Sequence, residues 1–280
     1  MENLKDLIER AADDLANSRY AIALSGAGIS TESNIPDFRG PRGIWTTDKE
    51  AEAKAYERYE LFLADPKAYW EEVLYTRYGA LYRAVGQAEP NPGHRALAEL
   101  ERDGVIKCVI TQNIDGLHEK AGSKNLLEYH GSARKLRCIS CTSRFSIEEF
   151  SFELLPPQCG KCGRALKYDV VHFKEPIPQD VSARSEEEAL NCDLMLICGT
   201  SAVVYPFASL PRIAKRHFGG LPSRPYASEA KSATKIIEVN AEPTPLTHEG
   251  VSDYLIQGKT GEILPQIVER VKDKLRQEPG

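Results

Sequence analysis

No stretch of the 280-residue chain approaches the roughly 18 consecutive apolar residues that a membrane-spanning helix needs, so no transmembrane helix is expected. An excess of basic charge is also missing. Lys and Arg number 36 against 41 Asp and Glu, for a formal net charge of -5, and the cations are scattered, which leaves no footprint for direct nucleic-acid binding. No fixed-period repeat or low-complexity tract interrupts the chain. The N-terminus, Met1-Glu2-Asn3-Leu4-Lys5-Asp6, lacks a basic region followed by an apolar run, so no signal peptide is read and a cytoplasmic location is expected.

Cysteine is scarce but patterned. Four of the seven form two Cys-x-x-Cys pairs, Cys138/Cys141 and Cys159/Cys162, separated by residues 142–158. Thiolates two residues apart approach one ion from a tight turn, and two such turns complete a tetrahedron with bonds of about 2.3 Å. Glycines in Cys159-Gly160-Lys161-Cys162-Gly163 suit a turn with positive φ. A pair of disulfides, or core cysteines, is the alternative, and nothing suggests the oxidising compartment that disulfides need. One structural Zn2+ is therefore expected. Four protein ligands leave no open coordination position, so the chemistry is expected elsewhere, with the neighbouring His130 as first candidate. Cys108, Cys192 and Cys198 sit in or beside apolar segments and read as small buried hydrophobes.

With 41% hydrophobic and 28% charged residues the chain can bury a substantial core. Leu4, Ile8, Ala11, Ala12 and Leu15 recur at helical spacing, and Tyr20 to Leu24 then run continuously apolar into a Gly-rich turn. Similar short strands are read at 105–110, 194–198, 235–239 and 254–256. Amphipathic segments, among them 94–102 and 261–275, lie between several of them. Strands buried on both faces and separated by helices predict an α/β fold: a Rossmann-like, doubly wound, mainly parallel sheet. The cysteine segment interrupts the alternation and reads as a small zinc-binding lobe built on the four cysteines. The expected division gives residues 1–130 and 176–280 to a nucleotide-binding domain and 131–175 to the zinc lobe, with a helical cofactor-loop module inserted at about 40–92.

In such sheets ligands bind beyond the carboxyl ends of the strands. The first strand is followed by Ser25-Gly26-Ala27-Gly28-Ile29-Ser30, whose glycines let backbone N–H groups approach a pyrophosphate near a helix N-terminus. The others are followed by Thr111 to Gly116, Gly199-Thr200-Ser201, Asn240-Ala241-Glu242 and Gln257 to Gly261. Each alone could be an ordinary turn; five at one end of a sheet point to a nucleotide. Thr31 stands where a standard dinucleotide fingerprint has its third glycine, and no strand ending in Asp or Glu follows about 20 residues later, which disfavours an ordinary dehydrogenase. Thr31 to Gly40 instead reads as a loop that closes over a ligand.

Gly26-Ala27-Gly28-Ile29-Ser30, Ile35-Pro36-Asp37-Phe38-Arg39-Gly40, Thr111-Gln112-Asn113-Ile114-Asp115-Gly116-Leu117-His118, His130-Gly131, the cysteine pairs and Gly199-Thr200-Ser201 together resemble the sirtuins, NAD-dependent protein-lysine deacylases. The resemblance runs over nearly the whole chain. It implies that NAD is consumed: the acyl-lysine carbonyl attacks the nicotinamide ribose, nicotinamide leaves, and the acyl group ends on ADP-ribose as O-acyl-ADP-ribose. Carried over residue by residue, His130 resembles the general base, a task that an unperturbed pKa near 6.5 suits. Asn113 and Asp115 resemble the pair that receives the carboxamide and ribose, and Gln112 the residue that reaches the ribose hydroxyls. Phe38 resembles the aromatic that shields the reactive sugar, flanked by Asp37 and Arg39. Gly26, Ala27, Gly28, Ser30, Ile114, Gly199, Thr200, Ser201, Asn240, Glu242 and Thr260 complete the implied NAD contacts. The implied substrate strand contains Val171, His172 and Phe173, which would pair with an extended acyl-lysine peptide. A monomer is expected.

Three departures from the family pattern stand out. Lys174 replaces glycine in the usual Phe-Gly-Glu. Val73 and Thr76 stand where succinyl- and malonyl-preferring sirtuins carry a Tyr-x-x-Arg pair, so a neutral acyl group is expected, although Tyr75, Arg77, Tyr78, Tyr82 and Arg83 crowd the same segment. Between Ala214 and Lys235 the chain is longer than the usual compact turn and reads as a surface insertion or a partner-binding loop. A mono-ADP-ribosyltransferase using the same pocket, or a non-catalytic NAD-binding module, are the alternative functions. The second is opposed by the joint presence of His130, Asn113, Asp115, Phe38 and all four cysteines.

Overall fold

The structure is a computed structural model that describes residues 2–38, 40, 43–76, 82, 85–216 and 233–277. Arg39, Arg77, Tyr78, Arg83 and residues 217–232 of the long loop lie outside the described residues.

Numbered in chain order, the strands are β1 Ala21–Ser25, β2 Ile106–Thr111, β3 Leu126–Glu128, β4 Gly131–Arg137, β5 Arg144–Ser146, β6 Lys167–Val170, β7 Leu194–Cys198, β8 Lys235–Asn240 and β9 Tyr254–Gln257. Six form one sheet in the order β3-β2-β1-β7-β8-β9, with every neighbouring pair parallel. β5, β4 and β6 form a separate antiparallel sheet.

The central strands read as unbroken apolar runs because both their faces are covered. Ala21, Ala23, Leu196 and Cys198 face one core, packed under the helices Leu4–Ala16, Pro92–Arg102 and Thr260–Gln277. Ile22, Leu24, Met195 and Ile197, alternating with them, face the other, with Ala189 of Gln179–Asn191 and Leu210 and Ala214 of Leu210–Arg216. The helix Leu4–Ala16 turns Ile8, Ala11, Ala12 and Leu15 inward, and the Asn3 side chain caps it by accepting the Asp6 N–H at 3.1 Å.

A third core joins the helical segment to the antiparallel sheet. Phe62, Tyr69, Trp70 and Val73 from the helices Lys49–Ala64 and Pro66–Tyr75 pack with Leu136, Leu166 and Tyr168. Trp70 is fully buried, and its Nε1–H donates to Leu166 O at 2.7 Å. The helical segment, read as an insert of the nucleotide-binding part, thus shares its core with the cysteine lobe.

β3 leaves no signal in the sequence, since three residues carry no periodicity. It decides where His130 stands. The chain leaves the parallel sheet after Glu128 and enters the antiparallel one at Gly131, whose φ is 74°. A Cβ there would lie 1.5 Å from Asp169 O, so only glycine allows β4 and β6 to pair next to the histidine.

Candidate active site

One cavity of about 1180 Å³ runs along the carboxyl ends of the parallel strands and between them and the antiparallel sheet. That exceeds the ~300–1,000 Å³ of a pocket for one drug-sized ligand and leaves space for a dinucleotide together with a peptide side chain.

Its first end is built by the turns after β1 and β7. Gly28 N–H donates to Gly199 O at 2.8 Å, and a Cβ on Gly28 would fall 2.7 Å from that same oxygen. The two turns approach backbone to backbone, which bares peptide groups toward the cavity. Beside them Gln112 Nε2 donates to Thr200 Oγ1 at 2.7 Å, Thr200 N to Asn240 Oδ1 at 2.9 Å, and Asn240 Nδ2 to Glu238 Oε2 at 3.0 Å. Three of the strand ends singled out in the sequence are therefore linked by hydrogen bonds. Ser201, Glu242 and Thr260 line the same end, and Thr260 Oγ1 is buried with no hydrogen-bond partner among the described residues.

Deeper in, Asn113 Nδ2 donates to Gly26 O at 3.1 Å and to Ser30 Oγ at 2.9 Å, and Ser30 Oγ donates to Asp115 Oδ2 at 2.7 Å. Asp115 Oδ1 accepts the Leu117 N–H at 2.9 Å. Burial raises the Asp115 pKa above the ordinary carboxylate value, while the Leu117 and Ser30 hydrogen bonds work against it.

Two further imidazoles stand beside this network: His94, which the sequence did not announce, and His118, the last residue of the Thr111–His118 motif. Asn91 N donates to His94 Nδ1 at 3.4 Å, so the ring proton sits on Nε2 and points to Ser30 Oγ at 3.3 Å. His118 Nε2 lies 2.7 Å from Ser25 Oγ, which donates to Thr111 Oγ1 at 2.9 Å. The two imidazoles meet edge to face at 4.9 Å. Burial lowers the His94 pKa to about 2, helped by the neighbouring His118 and Arg95, and lowers that of His118 to about 4. The available signal was Asn91-Pro92-Gly93-His94, a capping box that aims an imidazole back over a helix N-terminus.

His130 stands half-buried on the cavity wall. Its Nδ1 faces Gln112 O at 3.2 Å. A carbonyl only accepts, so Nδ1 carries the proton and Nε2 keeps a free lone pair. Burial lowers its pKa to about 4, with the Gln112 carbonyl pulling the other way. The ring is neutral at pH 7 and able to accept a proton at Nε2.

Phe38, Asp37 and Ile114 also line the cavity. Phe38 contacts Trp45 at 4.7 Å, Trp45 contacts Phe173 at 5.5 Å, and Phe173 stacks on Tyr56 at 4.1 Å. Val171, His172 and Phe173, read as a strand, follow β6 as an extended-to-turn segment without a sheet neighbour among the described residues. Val171 N donates to His130 O at 2.8 Å, and the chain then turns at Lys174. The His172 ring points into the core, where Nε2 meets Tyr69 OH at 3.1 Å.

The sulfurs of Cys138, Cys141, Cys159 and Cys162 lie within 4.8 Å of one another. Cys138 to Cys162 is 3.5 Å and Cys141 to Cys159 is 3.6 Å. A tetrahedron of bonds of about 2.3 Å has edges of about 3.8 Å, so the four thiolates fit one zinc ion. Cys138 follows β4 at the end away from His130, and none of the four is among the residues lining the cavity.

Glycine turns, an amide beside a carboxylate, a neutral imidazole and residues 171–173 share a single cleft at the carboxyl ends of a parallel sheet, where enzymes of Rossmann-like fold bind their ligands. The Sir2 family model matches residues 26–206, and the chain belongs to that family. It is 43% identical over 279 residues to NAD-dependent protein deacylase 2 of Archaeoglobus fulgidus, covering 98% of this chain and 100% of the relative. To NAD-dependent protein deacylase 2 of Pyrobaculum aerophilum it is 42% identical over 271 residues, 95% of this chain and 96% of the relative. Among solved structures, a variant of a Sir2 homologue in complex with ADP-ribose superposes with a TM-score of 0.80 at 40% identity, covering 97% and 99% of the two chains. A Sir2 protein bound to a myristoylated histone peptide gives 0.67 at 38% identity, covering 98% and 100%. No helix among the described residues is long and apolar enough to cross a membrane.

Proposed function

We propose that this NAD-dependent protein deacylase removes neutral acyl groups, acetyl or longer, from lysine in extended peptides, with His130 as general base. The observation that carries this reading is the single cleft in which the glycine turns, Asn113, Asp115, His130 and residues 171–173 all meet. Bound NAD supplies an electrophilic ribose carbon and nicotinamide as leaving group. The protein's share is to hold and shield. Gly28 and Gly199 would cradle the pyrophosphate, and Thr200, Asn240 and Thr260 would hold the adenosine half. Asn113 and Asp115 would receive the carboxamide, braced by Ser30 and, through it, by His94. His130 Nε2 is the atom that takes up a proton. Phe38 would exclude water, which keeps the activated sugar from hydrolysis.

Neutral acyl preference is supported at two points. Val73 is buried in the core and Thr76 caps its own helix through Oγ1 to Glu72 O at 2.6 Å, so neither position offers a carboxylate partner. Arg58, at the cavity wall, has its charge met by Glu72, Nε to Oε1 3.4 Å. The support for peptides comes from relatives, one of them the Sir2 protein bound to a myristoylated histone peptide. We further assign residues 1–130 and 176–280 to the NAD-binding domain and 131–175 to the zinc lobe, with the helical module of about 40–92 inserted in the first and packed on the second.

Incubation with NAD and a panel of acetyl-, myristoyl- and succinyl-lysine peptides, followed by mass spectrometry, tests the reading. Nicotinamide and acyl-ADP-ribose should appear, with acetyl or myristoyl turnover exceeding succinyl. Faster succinyl removal would sink the neutral-acyl assignment, and adenine-side label left on protein instead of on free acyl-ADP-ribose would favour ADP-ribosyl transfer.

A further inference from the structure

Lys174 is in an unusual place for a side chain. Its φ is 66°, in the left-handed region where a Cβ costs free energy, and glycine would be the unstrained choice. The turn itself does not depend on the lysine. It is pinned by Glu175, whose buried carboxylate meets Arg137 Nη2 at 2.6 Å, Lys167 Nζ at 3.2 Å and the His172 N–H at 3.0 Å. Phe173, on the other side, is held by the stack on Tyr56.

What Lys174 adds is charge at the rim. Its Nζ lies 2.8 Å from Glu60 Oε1, with side-chain exposures of 56% and 61%. Two charges that open to water hold each other weakly and exchange partners readily. Among the described residues lining the cavity, the other cations are elsewhere: Arg58 is buried, and Lys259 sits at the nucleotide end beside Glu262. Lys174 is the exposed cation next to the segment assigned to the substrate backbone.

We propose that Lys174 recognises an acidic side chain close to the acyl-lysine of the substrate, the substrate's carboxylate replacing Glu60 as its partner. The proposal rests on the deacylase reading and names the substrate class for it: acyl-lysine segments flanked by Asp or Glu.

Binding of two fluorescent acetyl-lysine peptides, one with Glu and one with Lys at the flanking positions, is measured by anisotropy at low salt, with NAD-dependent turnover followed in parallel. The wild-type protein should bind the Glu peptide about two- to fivefold more tightly, the difference shrinking as salt is added. Lys174→Gly, which relieves the backbone and leaves Glu175 in place, should equalise the two. Lys174→Glu should reverse the order, and Glu60→Gln should widen the wild-type preference. Equal affinities in the wild type, or a preference that survives in Lys174→Gly, overturns the proposal. A Glu preference that follows Lys174, with neither peptide deacylated, would support the recognition and overturn the deacylase reading instead.

Discussion

His130 keeps its lone pair on Nε2 because the Gln112 carbonyl can only accept, and burial keeps that lone pair free of protons well into the acid range. The acid limb of the activity profile should accordingly lie below pH 6.5, toward the lowered value of about 4, rather than at the ordinary histidine value. Rates measured from pH 4 to 8 with acetyl-lysine peptide check this, and a limb at or above 6.5 attributable to the enzyme's histidine would contradict it. His130→Ala should lower turnover by about 10²–10⁴-fold, with fold and zinc content unchanged. The place of His130 in the cleft was legible from its Glu-Tyr-His-Gly setting. His94 was not, because its place depends on a turn capped by Asn91 that carries the ring to Ser30, across 64 positions of sequence.

The zinc knuckles were readable because two-residue spacing constrains geometry whatever surrounds it, and the four sulfurs meet as that spacing requires. The helical segment was expected at about 40–92 and stands there, but β3 and the packing of that segment on the cysteine lobe were not legible. β3 is three residues long, and the helix Lys49–Ala64 buries only Ala51, Arg58 and Phe62, a set without a clear apolar stripe. Its attachment to the cysteine lobe rests on Tyr69 and Trp70 in the next helix, whose partners Leu166, Tyr168 and His172 lie some hundred residues away. Cys159→Ser should release zinc and unfold the antiparallel sheet first, since the binding energy of a structural metal is folding energy. Metal analysis and thermal unfolding would show one ion lost and an early transition appearing. Full stability without metal would remove the structural role.

Across the molecule, the alternation of helices and strands was legible because β1 and β7 are unbroken apolar runs that end in small polar residues, and β2 and β8 are interrupted only by Lys107 and Glu238. Burial creates a liability at low pH. His94, His118 and His172 are enclosed in neutral form, and their pKa values are depressed, those of His94 and His118 to about 2 and about 4. Above pH 6.5 folded and unfolded chains are equally unprotonated at these sites, and stability is complete. Below it the unfolded chain binds protons that the folded one refuses, so each histidine removes about 1.4 kcal/mol per pH unit until its folded value is reached. Urea midpoints should therefore fall between pH 7 and pH 5; an unchanged midpoint would show that these rings are not held neutral.

His130 sits where the backbone crosses from one sheet to the other, and the returning chain is tied to it there by the Val171 N–H at 2.8 Å. Points on a hinge line travel least when the leaves of the hinge swing. The residue proposed to take up the proton stands at the crossing of the two sheets, where a change in their mutual angle would alter the width of the cleft more than the aim of Nε2.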